Sequence, residues 1–202
     1  MRTLFVVPAR SGSKRLPGKN KRMFNRVPLV SYSIDFAQQV SNPGDIICVT
    51  SDDSDILEIA ESLNVDVIVD RPKNLAEDDS KTYDVLRHVL EYVDYKGRKL
   101  ECLVLLQPTT PFRRIEDFKE MMNIFLINKT HSVISVSGMK KEGHSCGEKS
   151  IDLNGSIYIY SIKRILRNAS LNLDGSIYYE MTEKYSIDID TMTDWKHAEE
   201  MI

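Results

Sequence analysis

A chain of 202 residues is long enough to bury one sizeable core and too short for two ordinary domains, so a single domain over residues 1–202 is expected. Its 42% hydrophobic and 28% charged residues sit near soluble averages, with no low-complexity tract or internal repeat, and the net charge is −3. No apolar run approaches the roughly 20 residues of a membrane helix, and no signal-peptide core opens the chain, so a cytoplasmic protein without a membrane partner is expected.

Taken in order, Leu4 to Val7 is a short β-branched and apolar run that reads as a buried strand. It opens into Pro8-Ala9-Arg10-Ser11-Gly12-Ser13-Lys14-Arg15-Leu16-Pro17-Gly18-Lys19-Asn20, the make-up of a phosphate cradle. Gly12 and Gly18 let backbone N–H groups approach a ligand, and Arg10, Lys14 and Lys19 supply donors suited to phosphate oxygens. Residues 1–34 hold eight Lys or Arg and no Asp or Glu, although the chain is net negative. The spacing fails the G-x-x-x-x-G-K-[ST] pattern, because five residues separate Gly12 from Gly18 and Asn20 follows the lysine. A strand feeding a Gly-containing cationic loop is also more specific than a basic patch for nucleic acid, and no nucleic-acid partner is expected.

Pro28 to Val40 carries apolar residues at helical spacing, and Asp45 to Thr50 reads as a second buried strand. Ser51-Asp52-Asp53-Ser54-Asp55 then starts a helix, its aspartates reading as N-caps and dipole partners rather than metal ligands. Val65 to Val69 is a third strand, running into the polar loop from Asp70 to Ser80 at the carboxyl edge of the sheet, where ligands collect in open α/β folds. A helix over Thr82 to Val93 leads to the strand Leu100 to Leu106, which ends in Gln107-Pro108-Thr109-Thr110-Pro111. A helix over Glu116 to Ile127 buries Phe118, Met121, Met122 and Phe125, and Ser132 to Val136 is another strand. Gly138 to Ser150 reads as an exposed loop, and Asn154 to Tyr160 brings the strand pattern back.

The three cysteines, Cys48, Cys102 and Cys146, are scattered and odd in number, and read as reduced thiols. His144 and Cys146 offer two metal ligands with nothing nearby to complete a set, which argues against zinc. Near the end, Tyr185-Ser186-Ile187-Asp188-Ile189-Asp190 precedes a short helix around Trp195 and Ala198. A strand there points Asp188 and Asp190 to one face and both isoleucines to the other. Paired carboxylates suit Mg²⁺, which takes one or two protein carboxylates and completes its shell with water and phosphate. The competing reading is a capping Asp190 beside a solvated Asp188. Strands alternating with helices through most of the chain predict an α/β fold with a mostly parallel, Rossmann-like sheet and helices on both faces.

Four blocks resemble the motif series of the acylneuraminate cytidylyltransferases, the CMP-sialic acid synthetases: Ala9 to Lys14 with Leu16 to Asn20, Leu105 to Pro111, Asn154 to Tyr158, and Ser186 to Asp190. They fall in the family's order and span nearly the whole chain. The resemblance implies a nucleotidyltransferase sheet that joins the anomeric hydroxyl of a nine-carbon keto sugar acid to the α-phosphorus of CTP, releasing pyrophosphate. It implies Lys19, Asp188 and Asp190 as catalytic residues. Nucleotide binding falls to Arg10, Ser13, Lys14, Lys19, Asn20, Arg71, Ser80 and Thr82, and sugar binding to Gln107 and Asn154. Asp188 and Asp190 are implied as Mg²⁺ ligands, CTP and an acidic nine-carbon sugar as partners, and a homodimer as an assembly. The segment before Asn154 departs from the family: only Gly138 to Leu153 is available, and it lacks the arginine of an Arg-Gln-x-Leu-Pro-like run, leaving Lys140, Lys141 and Lys149 as cations. Two alternatives follow, a nucleotide-binding regulatory relative that has lost the sugar arm, and a cytidylyltransferase acting on the eight-carbon acid Kdo.

Overall fold

The computed structural model describes residues 1–141, 149–171 and 174–202. The first half alternates strand and helix: β1 (Arg2–Pro8), α1 (Leu29–Val40), β4 (Ile46–Ser51), α2 (Ser54–Ser62), β5 (Val67–Asp70), α3 (Thr82–Tyr92), β6 (Leu100–Leu105) and α4 (Ile115–Ile127). Two-residue strands β2 (Met23–Phe24) and β3 (Val27–Pro28) form a small hairpin between β1 and α1. The second half supplies β7 (Ser132–Lys141), β8 (Lys149–Ser161), α5 (Ile162–Asn168), β9 (Ile177–Glu180) and α6 (Met192–Glu199).

Seven strands make the main sheet in the order β5-β4-β1-β6-β8-β7-β9. All neighbours pair in parallel except β8, which runs antiparallel to both β6 and β7. Alternation along the strands splits the core by face. Phe5, Val7, Ile47, Val49 and Val104 pack under α1, α2 and α4, while Leu4, Val6, Cys48, Leu103 and Leu105 pack under α3 and α5. The chain moves outward from β1 through β4 to β5 with helices on one face, then returns to the other side of β1 with α3 on the opposite face. Reversal of direction with change of face is what a constant crossover hand requires. Strand order therefore reverses beside β1, and the crevice at the carboxyl ends of β1 and β6 is the switch point where such sheets bind ligands.

A third cluster lies off the sheet: Leu16, Phe24, Leu29, Ile189, Trp195 and Ala198. Phe24 meets Tyr32, Phe112 and Trp195 edge-on, with centroids 5.5, 6.1 and 5.2 Å away. It joins the loop after β1 to the segment before α6, two stretches more than 150 residues apart in sequence.

Two expectations need correction. Gly138 to Ser150 is not a loop throughout, because β7 continues to Lys141 and β8 begins at Lys149, pairing Gly138 with Asp152 and Lys141 with Lys149. Polar residues on a two-stranded ribbon beyond the core have no burial pattern to announce them. His144 and Cys146 lie outside the described residues. Ser186 to Asp190 forms no strand: it has no ladder partner, and Ile189 N–H donates instead to the Thr109 carbonyl at 2.8 Å. The expected alternation survives in part, with Ile189 buried and Asp188 exposed. Finally, β9 and α5 carried no anticipated pattern, since β9 is short and only partly buried.

Candidate active site

The loop after β1 turns beneath the carboxyl edge through a left-handed Gly18 (φ 65°), and a short 3₁₀ turn over Lys19–Lys21 follows. A side chain at φ near +65° is strained, so glycine is the natural residue there. The turn buries Lys19 and Asn20. Asn20 Nδ2 donates to the Arg10 carbonyl at 3.0 Å, closing the loop on itself, while its Oδ1 has no partner among the described residues. At the tip, Ser11 N–H and Oγ–H both donate to Asp52. Burial works against the Asp52 carboxylate, but these donors prevail and its pKa lies below the usual range. The acidic turn after β4 thus anchors the cradle. Asp53 caps α2 by accepting from Asp55 N–H, and Lys21 pairs with both Asp53 and Asp55 at 2.8 Å.

The cradle, the β5–α3 loop, the β6–α4 loop and the pre-α6 segment enclose an open cleft of about 510 Å³. That is within the usual range for small-molecule sites. Arg10, Ser13, Lys14, Lys19, Asn20, Arg71, Ser80, Thr82, Gln107, Asp188 and Asp190 all line it. Asn154 does not. It is buried within β8, where its Oδ1 accepts from Ser135 Oγ–H at 2.6 Å and from Ser156 N–H at 3.0 Å, and its Nδ2 donates to Ser186 Oγ at 3.2 Å. That network orders the Asn-Gly turn and the start of the acidic segment rather than reaching into the cleft.

Lys19 joins the two ends of the chain. Its Nζ donates to the Ile189 carbonyl at 2.6 Å and to Asp190 Oδ1 at 2.8 Å, and the other Asp190 oxygen accepts from Arg15 at 2.9 Å. Asp188 has weaker support. Although its surface is open to the cleft, partial desolvation by the surrounding walls, and secondarily the nearby Asp190 charge, push its pKa above the usual carboxylate value, against a side-chain hydrogen bond from Thr109 and the Lys19 charge. On the opposite wall Arg71 is buried against Thr50, donating to its carbonyl and hydroxyl, and burial pulls its pKa down to about 10 despite Asp52. Asp78 approaches from the β5–α3 loop and pairs with Arg10 at 3.0 Å and with Lys14. These donors hold its pKa below the ordinary value.

Three residues here had no role assigned from sequence: Arg15, Asp78 and Thr109. Arg15 and Asp78 sit among many charges, and only their partners, 175 and 64 residues away, distinguish them. Thr109 lies in the Gln107 to Pro111 block, where its contact with Asp188 has no local signal.

Comparison with known proteins decides the lineage. Residues 4–143 match the family described as Cytidylyltransferase. The chain belongs to the cytidylyltransferase family. Among curated relatives, the CMP-N,N'-diacetyllegionaminic acid synthase of Legionella pneumophila is 34% identical over 238 aligned positions, covering all of this chain and 97% of that protein. The N-acylneuraminate cytidylyltransferase of Streptococcus agalactiae serotype V is 30% identical over 98% of this chain, and that of Escherichia coli O18:K1:H7 is 31% identical over the same share. These relatives place this cytidylyltransferase in the CMP-sialic acid synthetase group. It spans nearly the full length of the Legionella enzyme but only 52% of the Streptococcus and Escherichia ones. In fold it resembles a CMP:2-keto-3-deoxy-manno-octonic acid synthetase solved with CTP, with a TM-score of 0.76 at 16% identity over 100% of this chain and 98% of that one. A glucose-1-phosphate thymidylyltransferase from Bacillus anthracis gives 0.72 at 14% identity, covering 98% and 94%. Among the described residues, no helix of this cytidylyltransferase is long and apolar enough to cross a membrane.

Proposed function

We propose that this cytidylyltransferase transfers CMP from CTP to the anomeric hydroxyl of a nine-carbon keto sugar acid of the sialic, legionaminic or pseudaminic kind. The observation that carries the reading is the meeting of Lys19 with Asp190 in the cleft that also holds Gln107. A cationic cradle and a carboxylate pair sharing one wall form a site for a polyphosphate, and an amide on the adjoining wall gives the acceptor a donor and an acceptor to bind.

In this reading Arg10, Lys14 and Lys19 hold the triphosphate, with Ser13 and Asn20 beside them, and Arg71, Ser80 and Thr82 hold the nucleoside end. The buried Asn20 Oδ1, lacking a partner among the described residues, is an acceptor left for the nucleotide. Gln107 orients the sugar acid. The anomeric hydroxyl oxygen of the sugar forms a bond to the α-phosphorus as the bond to the bridging oxygen of pyrophosphate breaks, and the hydroxyl proton passes to a carboxylate of the Asp188 and Asp190 pair. The cradle cations share the charge that moves onto the leaving group.

The residues present fit Mg²⁺. Asp188 and Asp190 both line the cleft beside the cradle cations, and desolvation, with the Asp190 charge adding to it, raises the Asp188 pKa. A two-carboxylate wall beside a phosphate site is the donor set that Mg²⁺ completes with water and substrate oxygens. Bound there by Asp188 and Asp190, it would supply further charge neutralisation for the phosphates.

Incubation with CTP, Mg²⁺ and a panel of nine-carbon keto sugar acids, following pyrophosphate and the CMP-sugar, tests this. Release with at least one of them, dependent on both sugar and metal, is expected. Well-folded protein that binds CTP yet yields no product with any acceptor, Kdo included, would overturn the reading in favour of a regulatory relative.

A further inference from the structure

We propose that Arg113 is a positioning residue for the acceptor side of the site, clamping from behind the loop that carries Gln107 and Thr109. The inference rests on the proposed function, because it assigns that loop to the sugar acid.

Arg113 lies between β6 and α4, and its guanidinium turns inward. Nε donates to the Ser156 carbonyl at 2.8 Å, Nη1 to Ser33 Oγ at 3.0 Å, and Nη2 to the Gln107 carbonyl at 2.6 Å and Thr110 Oγ1 at 2.9 Å. The ring of Phe36 stacks 5.7 Å from its central carbon. Every one of these acceptors is neutral. Burial pulls the guanidinium pKa down to about 9, and no carboxylate among the described residues opposes that shift.

A desolvated cation without a counter-charge costs stability, so it is unlike an ordinary ion pair placed for strength. Its bonds instead bind three elements at one point: α1 through Ser33, the β6–α4 loop through Gln107 and Thr110, and the Asn-Gly turn of β8 through Ser156. Only the planar five-donor fork of arginine can reach acceptors in these directions at once.

What the clamp holds faces the cleft. Gln107 lies so close over Gly155 that a Cβ there would meet its Oε1 at 2.7 Å. Thr110 Oγ also donates toward the Gly155 carbonyl at 3.3 Å. On the same loop the Thr109 carbonyl accepts from Ile189 N–H at 2.8 Å, and the Thr109 hydroxyl bonds Asp188. Arg113 thus fixes the amide proposed to orient the sugar acid and one carboxylate of the pair, without reaching the cleft itself.

Arg113→Met and Arg113→Lys test this. Misplacing a reacting group by about 1 Å costs roughly 100-fold, so kcat/KM for the sugar acid is expected to fall by about that much in both variants. The CTP dissociation constant by calorimetry without Mg²⁺ should stay at the wild-type value, because the cradle shares no bond with Arg113. Hydrogen exchange should speed up at the Thr110 and Ile189 amides, whose acceptors are the Gln107 and Thr109 carbonyls. A parallel loss of CTP affinity, or unchanged exchange and sugar kinetics, would overturn the proposal. If Arg113→Met does not fold, Arg113→Lys carries the test alone and is expected to raise the sugar KM and speed the same two amides; wild-type values in both readouts would refute the clamp. If wild type itself makes no product, the proposed function fails, while the exchange measurement still decides whether Arg113 holds the loop.

Discussion

Replacing Lys19 by Met keeps the stem and removes the ammonium, which is the point where the two chain ends meet. The lost contacts are a bond to the Ile189 carbonyl at 2.6 Å and one to Asp190 at 2.8 Å. The Lys19 side chain is only 7% exposed, whereas Asp190 is 43% exposed and keeps Arg15 as a partner. Water and Arg15 can therefore serve Asp190, which holds the ion-pair part to about 1 kcal/mol or less. The carbonyl bond to a charged donor contributes about 1.5–3 kcal/mol, partly offset because a buried ammonium is no longer desolvated. A net loss of about 2 kcal/mol lowers Tm by roughly 4–8 °C in a protein of this length. The effect on turnover should be far larger. Removing one preorganised donor to a developing negative charge costs about 100- to 1,000-fold in kcat. Differential scanning fluorimetry and pyrophosphate release, run on the same preparation, separate the two numbers. A Met variant that turned over CTP at the wild-type rate would refute the placement of Lys19 on the phosphates, and one with unchanged Tm would refute the buried bridge.

Asp78→Asn removes the carboxylate that now competes for Arg10 and Lys14, so the CTP dissociation constant should fall at low ionic strength and the difference shrink as salt is added; weaker binding in calorimetry would contradict this. Asp188→Asn should raise Tm at neutral pH while abolishing turnover. With its folded pKa above the unfolded value, the carboxyl binds more protons when folded, and stability declines as pH rises through that window. A lower Tm at neutral pH would refute the sign. Gly155→Ala puts a side chain at φ +69°, at a cost of about 1–2 kcal/mol, and pushes the Gln107 amide aside. The sugar KM should rise with CTP binding intact, and steady-state kinetics showing an unaltered sugar KM would argue against Gln107 as the acceptor contact.

The parallel half of the sheet was legible because both of its faces are covered. Near-continuous apolar runs such as Leu4 to Val7 and Ile46 to Val49 have few other uses, and glycine, proline and cations mark where they open into loops. The cradle announced itself by the same contrast. Past β6, pattern gives way to pairing. The ribbon of β7 and β8 beyond Val136 is polar on a scaffold that needs only backbone bonds, and β9 is a short edge strand. Residues whose importance lies in a distant partner were invisible in the same way. Arg113 is one of two adjacent arginines just before α4, and nothing within its own stretch shows that it turns inward to Ser33 and Ser156. Asn154, assigned through resemblance, instead spends its amide on Ser135, Ser156 and Ser186.

The off-sheet cluster explains why the acidic segment does not need to be a strand. A ladder would have fixed Asp188 and Asp190 relative to the sheet edge, but the cradle is a loop and does not share that frame. Packing Ile189 against Leu16, Phe24 and Trp195 ties the carboxylates to the cradle directly, and the Thr191–Asp194 capping box starts α6 immediately afterward. Phe24 is the hub of that arrangement, meeting Tyr32, Phe112 and Trp195 at once. Truncating a buried aromatic to alanine costs about 3–5 kcal/mol. If the cluster sets the distance between cations and carboxylates, Phe24→Leu, which keeps most of the volume, should cost less stability than that and still weaken CTP and metal binding together. The chain's single tryptophan, Trp195, lies in the cluster and gives a direct readout, since its emission should shift when CTP and Mg²⁺ bind beside Ile189. A Phe24→Leu variant with wild-type affinity for both ligands would show instead that Lys19 and Asp190 find each other without the aromatic support.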